Sequence, residues 1–298
     1  MLLGPSPLDI VDGAGPIALV ESLRRAADSV IALQRRIVDA GAELVVAPTA
    51  ETTAPALHQS GQAYRAAALT AAAVDLTRDA AFAARTHAAV IGEVVATGGA
   101  LARIDARTHV ERLATSAIDA VLVWGDDPEG LLDVVRAAAA HGLPTLIQIA
   151  LATEGGPRGD DPIAALERAG VLGALAGVEA AAPTILVLTT TAAATTTVGN
   201  ATTELDLACA ALARLRARHP RLSLGARLSI GTHTHGANDP EKQAATQLAA
   251  AAAWGALAAF GLSVLGVRGP TSLTVLPVLA DLVSAERASL PGPPTLRQ

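Results

Sequence analysis

The chain has 298 residues, of which 51% are hydrophobic and 17% charged, with a formal net charge of −6. That is enough chain for one large barrel or two ordinary domains, and the single cysteine, Cys209, excludes a mini-protein held by disulfides. The acidic balance, the sole lysine (Lys242) and an aromatic content of 2% exclude a broad basic grip on nucleic acid and a row of stacking platforms for single strands.

Met1-Leu2-Leu3-Gly4-Pro5 shows no basic region and no apolar run before a cleavage site, so no signal peptide is expected. Short β-branched or leucine-rich runs then alternate with alanine-rich stretches of helical period. A strand over Leu8–Asp12 precedes a helix near Ile17–Ala40, which Gly41 closes as a C-terminal cap. Next come strand Leu44–Thr49, helix Gln62–Arg85, strand Ala89–Val95 and helix Thr108–Ser116, whose Thr108 and Glu111 read as a capping box. Strand Ala120–Trp124 leads to helix Glu129–His141, with Leu131, Val134, Val135 and Ala138 on one face and Gly142 as cap. Strand Thr145–Ile149, helix Pro162–Ala182, strand Thr184–Thr189 and helix Thr203–His219 follow. Strand Leu222–Ile230 and helix Pro240–Phe260 come next, with Asp239-Pro240 as N-cap and first-turn proline; strand Leu262–Val267 and helix Leu273–Arg287 close the series.

The apolar stretch Leu248–Leu265 is mostly alanine and broken by Gly255 and Gly261. It reads as a buried helix followed by a buried strand, not as a membrane span. Continuous apolar strands suit a parallel sheet covered on both faces, and eight strand–helix units predict a single (β/α)8 TIM-type barrel over residues 1–290, with a flexible tail over 291–298. An open doubly wound sheet is the alternative, but Asp12-Gly13-Ala14-Gly15-Pro16 is no dinucleotide fingerprint.

A barrel of this kind carries its chemistry at the C-terminal ends of the strands. Read that way, the sites are Asp12 and Gly13 after strand one, Thr49 and Glu51 after strand two, Glu93 on strand three and Asp126 after strand four. Gln148 on strand five, Thr189 on strand six and Arg268 on strand eight complete the mouth. Arg268, between Gly266 and Gly269, suits a carboxylate or phosphate. After strand seven, Thr232-His233-Thr234-His235 puts two imidazoles on one side of an extended segment. They are read either as bases or as ligands to a metal completed by Glu93 or Asp126, against the plainer alternative of a polar loop. The other histidines (His58, His87, His109, His141, His219) read as surface residues, and Cys209 as a small core residue.

Leu8-Asp9-Ile10-Val11-Asp12-Gly13-Ala14, Asp39-Ala40-Gly41-Ala42-Glu43 through Thr49, and Gly261 through Thr271 together resemble the homocysteine S-methyltransferase family, over most of the chain. The resemblance implies a barrel, methyl transfer to a small amino-acid-like acceptor, and a zinc held by three cysteines. The zinc positions fall here among Leu188, Thr189 and Thr190 and at Val267 and Arg268, so no metal site is assigned and the cofactor is left open. On the enzyme reading Asp12 and Asp126 bind an ammonium, Arg268 a carboxylate, and His233, His235 and Glu93 are the catalytic candidates.

Two alternatives stand beside this reading. One is a non-catalytic binding or assembly barrel that has lost the zinc chemistry. The other is a metal-dependent lyase or hydrolase using His233 and His235. The latter pair is similar to the His-x-His of hydroxymethylglutaryl-CoA lyase-type barrels, although the arginine those enzymes need after strand one is missing. The expected partner is a small amino-acid-like molecule, with no nucleic acid and no membrane. The alanine-rich outer helices suit packing against a second subunit, and the free cysteine fits a cytoplasmic location.

Overall fold

The structure is a computed structural model that describes residues 1–7, 23, 26–58, 60–84, 87–151, 162–178, 182–191, 200–229, 240–269 and 272–289. Eight parallel strands close into a barrel in strictly sequential order. They are β1 (Leu2–Leu3), β2 (Leu44–Ala47), β3 (Ala89–Ala96), β4 (Ala120–Gly125), β5 (Thr145–Ala150), β6 (Thr184–Thr191), β7 (Ser223–Ser229) and β8 (Val264–Arg268). The helices described are α1 (Ala27–Asp39), α2 (Ala54–His58), α3 (Ala66–Ala83), α4 (Ala100–Thr115), α5 (Pro128–Ala140), α6 (Pro162–Arg168), α7 (Val171–Val178), α8 (Asn200–Arg218), α9 (Pro240–Ala258) and α10 (Ser272–Ser289). This is the (β/α)8 barrel that the alternation of apolar runs predicts.

Burial on both faces explains the strand composition. Residues of one parity point outward under the helices: Val45, Val90, Val121, Val123, Ile147, Leu186, Leu188, Ala226, Leu265 and Val267 pack with the helix stripes. Residues of the other parity fill the barrel, where Leu3, Leu44, Val46, Ile91, Leu122, Leu146, Val187 and Val264 form a separate apolar plug. The α5 stripe Leu131, Val134, Val135 and Ala138 is fully covered, as its spacing predicts. Both expected caps form. After α1, Gly41 N–H donates to Val38 O and Ala42 N–H to Ile37 O. After α5, Gly142 and Leu143 make the same pair of bonds to Ala139 and Ala138.

Four expectations are corrected. The barrel's first strand is Leu2–Leu3, paired with Leu44 of β2 and with Leu265 and Gly266 of β8, whereas Leu8–Asp12, expected there, lies outside the described residues. Leu8–Asp12 is the longer β-branched run, but two leucines suffice because neighbours on both sides supply the ladder. Second, α4 starts after Gly98-Gly99 and not at Thr108. The buried stripe Ala106, His109, Val110 and Leu113 runs straight through the supposed capping box. Third, Pro162–Ala182 is broken into α6 and α7 at Gly170, whose φ is +70°. Fourth, α9 is covered along one stripe, Thr246, Ala250, Ala253 and Leu257, while Leu248 is exposed. The C-terminal tail lies outside the described residues. No described helix is long and apolar enough to cross a membrane.

Candidate functional site

The inward parity that builds the plug continues upward into a polar layer. One step above Ile91, Leu122, Leu146 and Val187 stand Glu93, Trp124, Gln148 and Thr189, and β7 contributes Arg227 from the same face. Register ties them together: Trp124 pairs with Gln148, and Thr189 with Arg227. Gly266 lies beside Arg227 on β8. A Cβ there would come within 3.1 Å of both Arg227 Cγ and Leu3 Cβ, so the glycine makes room inside the barrel for the arginine stem.

The layer is hydrogen-bonded on both sides. Trp124 Nε1 donates to Glu93 Oε1 at 2.8 Å, and Ser6, just beyond β1, donates from Oγ to Glu93 Oε2 at 3.4 Å. Thr49 is fully buried and works on the backbone of the same residue. Its Oγ1 accepts from Glu93 N–H at 2.7 Å and donates to Glu93 O at 3.0 Å, replacing ladder bonds where β2 has ended. Opposite, Arg227 donates through Nη1 to Gln148 Oε1 at 2.6 Å and through Nε to Val267 O at 3.3 Å. Thr189 Oγ1 is buried and finds no partner among the described residues.

Above this layer opens a cavity of about 590 Å³ whose walls include Trp124, Asp126, Leu131, Gln148, Leu166 and Arg268. Gly125 permits the tight exit of β4 there, since a Cβ at this position would lie only 1.8 Å from Ala96 O. Asp127 caps α5 through its backbone, with Pro128 in the first turn. Asp126, one residue earlier, is left exposed at the rim. Glu51 sits outside the cavity on a short 3-10 turn (Ala50–Thr52), half-buried, and desolvation raises its pKa.

The structure therefore brings Asp126, Gln148 and Arg268 to one cavity and puts Glu93 directly beneath it, behind Trp124. Thr49 is a backbone clamp, and Thr189 lies on the inner wall. Asp12, Gly13, His233 and His235 lie outside the described residues. Sequence reasoning missed Arg227 and Ser6. The signal for Arg227 was present: a lone arginine at inward parity in Leu224-Gly225-Ala226-Arg227-Leu228. Ser6 was hidden by the misplaced first strand.

His109, expected at the surface, is fully buried on α4. Neither ring nitrogen has a hydrogen-bond partner among the described residues. Burial, with help from Arg112, depresses its pKa to about 4, and the nearby carbonyls of Glu93 and Thr49 oppose this only in part. Cys209 packs against the core from α8, half-exposed. Burial and Asp206 raise its thiol pKa, which is the opposite of an activated nucleophile.

A three-thiolate zinc does not fit the strand ends. Val267 is a buried aliphatic, Arg268 is a cation, and Thr189 offers a hydroxyl. Among the described residues no three His, Cys, Asp or Glu side chains gather as a metal site.

No protein-family model matches the chain. No curated protein matches it in sequence. Solved structures do match in fold. The Escherichia coli homocysteine methyltransferase MmuM, in its oxidized form, is 15% identical over 95% of each chain with a TM-score of 0.71. Its apo form is 17% identical over 93% of this chain and 94% of that one, with a TM-score of 0.61. A dihydropteroate synthase from Stenotrophomonas maltophilia, with imidazole bound in its active site, is 13% identical over 97% and 93%, with a TM-score of 0.50. At these identities the likeness speaks to the fold.

Proposed function

We propose that this barrel takes a small amino-acid-like molecule into the cavity above the polar layer. There it performs methyl transfer, or chemistry derived from it, without a three-cysteine zinc. The observation that carries the reading is the convergence of Arg268, Asp126, Gln148 and Trp124 on one cavity at the C-terminal mouth. Arg268 takes the ligand carboxylate and Asp126 its ammonium, and the indole of Trp124 supplies an apolar wall. Glu93 is a fixed carboxylate below that wall, and His233 or His235 serves as the base. The resemblance of the fold to a homocysteine methyltransferase supports the transfer chemistry by analogy only.

The replacement of thiolate positions by Val267 and Arg268 favours one second reading, a barrel that binds such a molecule without turning it over. One experiment serves both. Calorimetric titration with homocysteine, methionine and the common amino acids should find a ligand, and Arg268→Ala should weaken it by about tenfold or more. Incubation of the best ligand with candidate methyl donors, read by mass spectrometry, then separates transfer from binding alone. An unchanged affinity in Arg268→Ala would remove the carboxylate role.

A further inference from the structure

We infer that Gln148 determines which end of a ligand the cavity floor accepts, and that Arg227 is the positioning residue that fixes this choice. The inference rests on the cavity being the ligand site. A guanidinium has five donors and no acceptor, so the partner of Arg227 Nη1 must be the amide oxygen of Gln148, as the 2.6 Å contact shows. With Oε1 committed on that side, the amide nitrogen is the end that Gln148 turns to the cavity it lines.

An unconstrained glutamine presents either face. This one presents donors, because flipping it would set its NH2 against the buried cation. Arg227 is only 1% exposed and has no room to turn away, with Gly266 moulded to its stem and Val267 O taking Nε. The floor is therefore built for an oxygen acceptor. With Arg268 on the same wall, it presents donors from two strands, which matches a carboxylate and rejects a carboxamide or amine end. Thr189 on the neighbouring strand, inward-facing with a hydroxyl that has no partner among the described residues, adds a further polar group to the same layer.

Gln148→Glu tests this. Glutamate is nearly isosteric and keeps an oxygen against Arg227, but the atom it turns to the cavity accepts and does not donate. Each member of the amino-acid panel is titrated beside its carboxamide, methionine and methioninamide being one such pair, with thermal melting as a check on folding. The wild type should prefer the free carboxylate. Gln148→Glu should lose about tenfold or more on the carboxylate and hold or gain on the carboxamide, so that the preference inverts. A collapsed variant cannot invert a preference. Equal loss on both members, or unchanged selectivity, overturns the assignment to Gln148 while leaving the site reading intact. No binding of any panel member by the wild type overturns the site reading, and this inference with it.

Discussion

At the N-terminal end of the barrel, Arg287 donates to both oxygens of Glu43, at 2.6 and 2.8 Å; at the C-terminal end, Arg227 donates to Gln148 at 2.6 Å. The contacts are equally short, but their surroundings differ. The side chains of Arg287 and Glu43 are 48% and 38% exposed, whereas Arg227 is 1% exposed. Water screens the lower pair and solvates either partner if the other is lost, so it contributes little in either direction. Nothing solvates a guanidinium in the centre of a barrel. Burying it carries a desolvation cost that its bonds to Gln148 Oε1 and Val267 O offset, and Gly266 is left bare to admit it. The lower cluster fastens the end of α10 to the barrel floor. The upper one fixes a buried cation and its partner in one arrangement beneath the cavity.

The largest expected effect follows from that contrast. Arg227→Met leaves Gln148 Oε1 without its donor and Val267 O with one bond fewer, inside the barrel. Urea denaturation should show a loss of about 3 kcal/mol, combining unsatisfied buried groups with imperfect packing. A loss below about 1 kcal/mol would mean that the buried arginine is no more committed than its surface counterpart.

The same contrast separates what was legible in the sequence from what was not. Strands β2 to β8 and the helix stripes could be read because burial on both faces forces long apolar runs, and a stripe such as Leu131 to Ala138 has one meaning. The first strand could not be read, because two residues carry no periodicity and the competing run Leu8–Asp12 looks more strand-like. At the mouth, the gathering of Gln148, Asp126 and Arg268 at one cavity was legible because strand ends are where a barrel keeps its polar residues. What could not be read was division of labour. Thr49 looks like a mouth residue and is a backbone clamp; the parity of Arg227 turns it inward, but nothing in the sequence pairs it with Gln148. Those roles depend on neighbours across the barrel, which appear only when the sheet closes.

His109 extends the comparison to pH. Its folded pKa is about 4, below the ordinary 6.5, because burial disfavours the charged ring. Above pH 6.5 the ring is neutral in both states and has no effect. Between 6.5 and 4 the unfolded chain takes up a proton that the folded one refuses, so stability falls as the pH is lowered through that window. The full span corresponds to about 3 kcal/mol. His109→Leu should leave stability at pH 7.5 within about 1 kcal/mol, since no hydrogen bond is lost, and should flatten the decline between pH 6.5 and 4. Equal pH slopes in the two proteins would show that the ring is solvated when charged.

The smallest effect is expected at the lower cluster, and its sign is opposite in form. Arg287 holds Glu43 down to about 2 from the ordinary 4.5, aided by Leu2 N–H and opposed by desolvation. A depressed carboxyl contributes stability above its unfolded pKa and loses it as the pH falls from 4.5 through 2. Because both side chains are more than one-third exposed, solvent screening limits the contribution to about 1 kcal/mol or less. Arg287→Met should therefore cost about 1 kcal/mol or less by urea denaturation at pH 7. Its difference from the wild type should narrow as the pH drops below 4.5 and shrink further in 1 M salt. A cost matching that of Arg227→Met, undiminished by acid or salt, would show that exposure does not distinguish the two ends of the barrel.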